Sequence, residues 1–253
     1  MTKKLETILR WGLYLCALVP LIIFKDYLSP FHFGKVVVFR ALVEIMLVVY
    51  VLLVLSDRRF LPKINLLFWI ITGFTVAFGL TSLTGINPYQ SIMGTLEGMG
   101  GWFTFLHLWV LYVIAVSVLL TKEDWIRVIQ VSVVASLLSS FYGFLQKTNL
   151  SWIVGSGNRA RIFGTLGNTA LFAGYILVNT YFALFLALRS KTTTRYLWFF
   201  VFAVNVVAVL MTAVRGSVAS LLLSLALFAL LYTMGGTSRK VKTAFIAVAA
   251  VLL

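Results

Sequence analysis

Acidic residues are scarce: seven Asp and Glu stand against 21 Lys and Arg in 253 residues. There are only two histidines and one cysteine, Cys16. A lone cysteine excludes an intrachain disulfide, a zinc site built on cysteines and a dithiol redox centre. His32 and His107 have no partner at metal-ligand spacing. No metal or other cofactor is therefore expected, and both histidines read as hydrogen-bonded structural residues. Charged residues of either sign reach only 11%, against about 25% in an ordinary soluble domain. What fills the gap is apolar, 61% of the chain with a mean hydropathy of +1.03. A soluble core of this length would still need a polar shell, whereas a bilayer lets apolar side chains face outward.

A helix needs about 20 apolar residues to cross roughly 30 Å of hydrocarbon. Eight segments fit, at about 11–24 (short, and open to extension over Leu5–Arg10), 36–55, 64–83, 103–120, 126–145, 169–188, 196–213 and 217–234. Their apolar runs are continuous rather than alternating, which favours helices over a barrel. The expected fold is therefore all-α, a single polytopic transmembrane bundle over 1–253. The first segment follows Lys3, Lys4 and Arg10 and imitates a signal peptide, but no A-x-A site follows and many spans do. It reads as a retained helix. From Thr243 an apolar run stops at Leu253 after 11 residues, about half a crossing. It is expected to be the start of a ninth helix, with the domain incomplete at its C-terminus.

The placement of charge supplies an independent test. Loops 1–10, 57–63, 121–127, 189–195 and 235–242 carry 14 of the Lys and Arg, and the alternate connections carry six. The positive-inside rule assigns the first set, and with it the N-terminus, to the cytoplasm. The basicity is then mostly topological and leaves nucleic-acid binding without support. The outer loops, 25–35, 84–102 and 147–168, are longer and richer in Gly, Pro, Asn and aromatics. Chemistry is expected there, because loops on a rigid scaffold usually carry it.

Arg40 and Glu44 lie one turn apart on the second span, where an unpaired charge costs several kcal/mol. Two readings fit: a buried pair that orients helices, or a basic path in which Lys35 and Arg40 lead inward from the outer surface. Arg215 stands at the apex of a tight outer hairpin, Ala213-Val214-Arg215-Gly216-Ser217. Gly216 suits the reversal, Ser217 suits a helix cap, and a helix N-terminus beside a guanidinium suits a phosphate. An arginine snorkelling to lipid headgroups is the plainer alternative. Arg159 and Arg161 defy the positive-inside rule in an outer loop that ends on Asn168, a candidate N-cap. A bound anion would explain them, and a solvated loop charge is the alternative.

The stretches Thr84-Gly85-Ile86-Asn87-Pro88-Tyr89-Gln90-Ser91, Arg161-Ile162-Phe163-Gly164-Thr165-Leu166-Gly167-Asn168 and Leu210-Met211-Thr212-Ala213-Val214-Arg215-Gly216-Ser217, with the Lys35 to Glu44 segment, resemble the bacterial O-antigen ligase and O-antigen polymerase family. The resemblance implies a multi-pass enzyme of the bacterial cytoplasmic membrane that works on the extracytoplasmic side. It would transfer an oligosaccharide from a polyprenyl diphosphate to an acceptor hydroxyl on a glycan, lipid or protein. Arg161 and Arg215 match the family's motif arginines and are assigned to the diphosphate, with Lys35 and Arg40 as further candidates and Glu44, Asn168, Gly216 and Ser217 in support. Gly98 replaces the Arg that often follows the glutamate at Glu97. The histidine thought to act in catalysis would lie beyond Leu253. A transporter or flippase of a lipid-linked or anionic solute is the alternative, although no internal repeat is visible.

Overall fold

The computed structural model describes the chain except Leu28, Leu96, Asn158, Arg159, Thr192 and residues 235–253. The basic stretch 235–242, the apolar run from Thr243 and Arg159 thus lie outside the described residues. Every regular element among those described is helical. In order they are α1 (Thr2–Leu18), α2 (Phe33–Ser56), α3 (Leu66–Thr84), α4 (Pro88–Met93), α5 (Trp102–Val118), α6 (Lys122–Leu145), α7 (Thr169–Arg189), α8 (Thr193–Thr212) and α9 (Arg215–Met234). Five of them, α2, α3, α6, α7 and α8, are long and apolar enough to cross a membrane; α5 and the segment Arg215–Phe228 are apolar but shorter. A bilayer suits such helices, because each satisfies its own backbone and presents apolar side chains outward.

Asparagines start three of the helices. Asn65 Oδ1 accepts from Phe68 N at 2.9 Å, Asn87 Oδ1 from Gln90 N at 3.2 Å, and Asn168 Oδ1 from Ala170 N at 2.8 Å and Leu171 N at 3.3 Å. Each cap supplies an acceptor to first-turn amides that have no partner within the helix. α1 starts at Thr2, nine residues ahead of the expected apolar segment. Glu6 and Arg10 stabilise it by an i,i+4 pair at 2.8 Å, and Pro20 helps end it just beyond Leu18.

The chain forms two compact units. The first, Met1–Ser139 with Thr165–Gly167, has a core in which Leu9 and Leu13 of α1 meet Met46, Tyr50 and Leu53 of α2, Phe60, and Ile114 and Val118 of α5. The Tyr50 hydroxyl lies 3.0 Å from both the Phe60 carbonyl oxygen and Ser117 Oγ. Arg10 is hydrogen-bonded to Asp124 at the head of α6. One end of this unit therefore gathers parts of the loops 1–10, 57–63 and 121–127.

Near the other end, Trp102 lies against Gly79 and donates its indole N–H to the Thr75 carbonyl at 2.8 Å. A Cβ at Gly79 would sit 2.7 Å from that ring, whereas one at Gly73 on the same helix would meet nothing within 4 Å. Both changes to Ala gain helix propensity, so contact alone separates them. Gly79→Ala is expected to lower the denaturation midpoint, by about 1–2 kcal/mol, and Gly73→Ala to leave it unchanged or raise it.

The second unit, Ser140–Gly164 with Asn168 onward, is built on α7 packed along α8. Buried polar side chains tie it together: Ser140 Oγ donates to Asn205 Oδ1 at 3.0 Å, and the Tyr181 hydroxyl on α7 is hydrogen-bonded to Ser224 of α9. Such bonds between helices hold where the surrounding medium adds little hydrophobic driving force.

Candidate functional site

In the second unit the site begins with Gln146, which is fully buried beyond the last residue of α6. Its Oε1 accepts from Phe163 N at 3.1 Å and Gly164 N at 3.0 Å, and its Nε2 donates to the Gly164 carbonyl at 3.0 Å. An irregular loop in an apolar setting must satisfy its backbone from somewhere, and here one amide does it. Gly164 has φ +54, and a Cβ there would sit 2.3 Å from the Phe172 ring, so glycine is required. With Phe163 and Gly164 held, Ile162 N reaches the Met211 carbonyl at 3.3 Å.

Arg161, next along, donates through Nε to the Thr212 carbonyl at 2.8 Å and through Nη2 to the Ala213 carbonyl at 3.2 Å. These carbonyls close α8, so the guanidinium sits at the negative end of that helix. Three residues after Thr212, Arg215 opens α9 with its side chain exposed. Two widely separated sequence positions, 161 and 215, thus meet on one helical hairpin, where the positive end of α9 adds to their charge.

The hairpin itself differs from expectation. Its left-handed residue is Ala213, φ 50, and not Gly216, which lies inside α9. Ser217 is no cap, because α9 already starts at Arg215; within the turn, Val214 N donates to Thr212 Oγ1 at 3.3 Å. Ala213 thus takes the reversal assigned to Gly216, and the Thr212 hydroxyl holds an amide within the turn.

In the first unit Lys35 and Arg40 are both buried. Lys35 Nζ donates to the Thr165 carbonyl, and Thr165 N donates to Ser139 Oγ at 3.3 Å. Gly167, φ +73, lets Phe31 lie so close that a Cβ would sit 2.4 Å from it. Arg40 bonds Thr104 Oγ1 through Nη2 at 2.6 Å and Nε at 3.1 Å, bonds the Met99 carbonyl at 3.0 Å, and stacks 4.9 Å from the Phe103 ring centroid. Its hydrogen bonds thus go to neutral oxygens and its flat side to an aromatic face, while Glu44 acts on it through charge alone. Glu44 instead accepts from or pairs with His107 Nε2 at 3.1 Å, and His107 Nδ1 is 2.7 Å from the Phe103 carbonyl oxygen. Ahead of α2, burial first and then Lys35 pull His32 below its ordinary value, against Glu97. Its surroundings therefore disfavour the charged form.

Lys35 and Arg40 therefore position the backbone around Thr165 and Met99. Among the described residues, Arg161 and Arg215 lie at the α8–α9 hairpin, whereas Lys35 and Arg40 lie on α2. Two hydrogen-bonding roles were not foreseen: that of Gln146, whose glutamine-to-backbone network leaves no periodic signal, and that of His107 as the partner of Glu44, 63 residues away. No family model matches this chain, and no curated protein or solved structure matches it either.

Proposed function

We propose that this protein transfers an oligosaccharide from a polyprenyl diphosphate to an acceptor hydroxyl on the extracytoplasmic face of a bacterial cytoplasmic membrane, in the manner of O-antigen ligases and polymerases. The observation that carries the reading is the latch of Arg161 onto the Thr212 and Ala213 carbonyls beside Arg215. The topology assumed is about eight crossings with a cytoplasmic N-terminus. It is supported by the gathering of loops 1–10, 57–63 and 121–127 at one end of the first unit, because these are alternate connections rich in Lys and Arg.

The acceptor oxygen attacks the anomeric carbon, and the bond from that carbon to the diphosphate oxygen breaks with its electron pair leaving on the diphosphate. The acceptor's proton passes to a base outside the described residues. Charge grows on the leaving oxygen, so fixed guanidinium donors there lower the barrier without reorganising. Arg161, already anchored by two carbonyls, is preorganised; Arg215, exposed at a helix N-terminus, supplies a bidentate fork.

One observation favours the alternative of a transporter. Glu44 lies in the middle of α2 with a side chain 59% exposed and hydrogen-bonded to His107, and an ionisable group at such depth commonly marks an ion or proton path.

Proteoliposomes holding the complete chain encoded by the gene, a synthetic polyprenyl-diphosphate trisaccharide and a glycan acceptor separate the two. Cleavage of the donor with an elongated acceptor is expected. Movement of intact donor across the bilayer would establish transport instead, and labelling of an Arg215→Cys variant only from the cytoplasmic side would end the diphosphate assignment.

A further inference from the structure

At the end of α3 nearest α4, a cavity of about 550 Å³ opens between the two helices and the loop that follows. Its size lies in the range of small-molecule sites. Phe78, Thr81, Ser82, Gln90, Ser91 and Thr95 line it together with four glycines, and none of these residues is ionisable. A diphosphate or a metal ion would find no counter-charge on such a wall. A neutral ligand rich in hydroxyls would find hydroxyls, an amide and open backbone.

Ser82 marks the cavity as built for a ligand. It is 2% exposed, and its Oγ has no hydrogen-bond partner. Neighbouring hydroxyls on the same helix behave otherwise: Thr75, Thr81 and Thr84 donate to the carbonyls of Ile71, Phe78 and Leu80 at 2.9, 3.0 and 3.1 Å. A buried hydroxyl left unpaired costs about 1–3 kcal/mol, and a native structure that retains one calls for a reason. Phe78 supplies an apolar surface beside it, held edge-on to Phe105 at 4.9 Å and 88°.

Glycines shape the opposite wall. Gly94 has φ +86, and a Cβ on Gly101 would sit 2.3 Å from Gly94 N, so the two backbones touch and close the loop. Gly100, by contrast, lines the cavity with nothing within 4 Å of its would-be Cβ.

We infer that this cavity is a saccharide subsite, in which an uncharged pyranose unit donates a ring hydroxyl to Ser82 Oγ and lays an apolar face against Phe78. That the sugar belongs to a transferred glycan rests on the transferase reading; that a sugar binds rests on the cavity alone. The pyranose hydroxyl satisfies the orphaned oxygen, while Gln90, Ser91 and Thr95 offer donors and acceptors around the ring.

The test uses the complete chain in a detergent without a sugar headgroup, with Cys16→Ser and Gly100→Cys introduced together. Maltose and chitobiose are the probes, and pyrophosphate is the charged control. At least one disaccharide should slow maleimide labelling at position 100, and pyrophosphate should not. Adding Ser82→Ala should raise the half-protecting concentration about fivefold, as the loss of one hydrogen bond would. It should not lower the thermal midpoint, because the hydroxyl has no partner within the protein.

Absence of protection by both sugars, equal protection by pyrophosphate, or an unchanged half-protecting concentration in the Ser82→Ala variant would each overturn the subsite. A protein that is protected by sugar yet never cleaves the lipid-linked donor keeps the subsite and loses the transferase reading. One that transfers glycan with position 100 unprotected does the reverse.

Discussion

Arg215→Ala is expected to slow glycan transfer by about a hundredfold or more, the scale on which removing one preorganised donor from a developing anion acts. The side chain is exposed at the first residue of α9, so its truncation should leave membrane level and denaturation midpoint unchanged. Arg161→Ala should cost at least as much activity and should also loosen the hairpin, since the carbonyls of Thr212 and Ala213 lose their shared donor. Arg161→Lys separates the two effects. It keeps the charge but cannot span both carbonyls with a planar fork, so it should restore part of the rate and little of the rigidity. Initial rates in vesicles, divided by protein content from immunoblots, read the first effect, and thermal midpoints read the second. Full transfer by both alanine variants would remove the arginines from the mechanism.

Gln146→Leu should be the most damaging change for the fold of the loop. The volume is nearly conserved, but the Phe163 and Gly164 amides and the Gly164 carbonyl lose their partner in a place water does not reach. At about 1–3 kcal/mol for each of the three orphaned groups, the sum is roughly 3–9 kcal/mol, a large share of the stability of most domains. Gln146→Glu keeps the acceptor for both amides and loses the donor, so it should fall between. Denaturation midpoints rank the three proteins, and limited proteolysis within 148–164 should rise in the same order. Equal midpoints for wild type and Gln146→Leu would show that the loop takes its support elsewhere.

Much of the helical order was legible because apolar runs and Asn caps are local signals. Each of the eight expected segments overlaps a long helix in the same order, although five alone reach spanning length and hydropathy. α4 was missed inside the loop 84–102, even though Asn87 before Pro88 is an N-cap followed by a first-turn proline. The extension of the first segment over Leu5–Arg10 is present in α1, which runs on to Thr2, whereas its C-terminal end lies at Leu18 rather than Phe24. At the site, Arg161 and Arg215 stood out as two of the six basic residues in connections that the charge count assigns, as an expectation, to the outer side. Glu44's hydrogen bond to His107 was not legible, because an i,i+4 neighbour is visible in one dimension and a side chain on another helix is not. Gln146 gave no warning at all: its value lies in four atoms of a distant irregular loop.

The Gly-rich loop after α4 is gripped by a guanidinium through neutral oxygens, those of Thr104 and Met99, with no carboxylate in the grip. Hydroxyl and carbonyl acceptors carry no titrating proton near neutrality. The contacts that hold this loop therefore exchange no proton, and a response of the loop to acidification has to originate at Glu97 or at residues outside it.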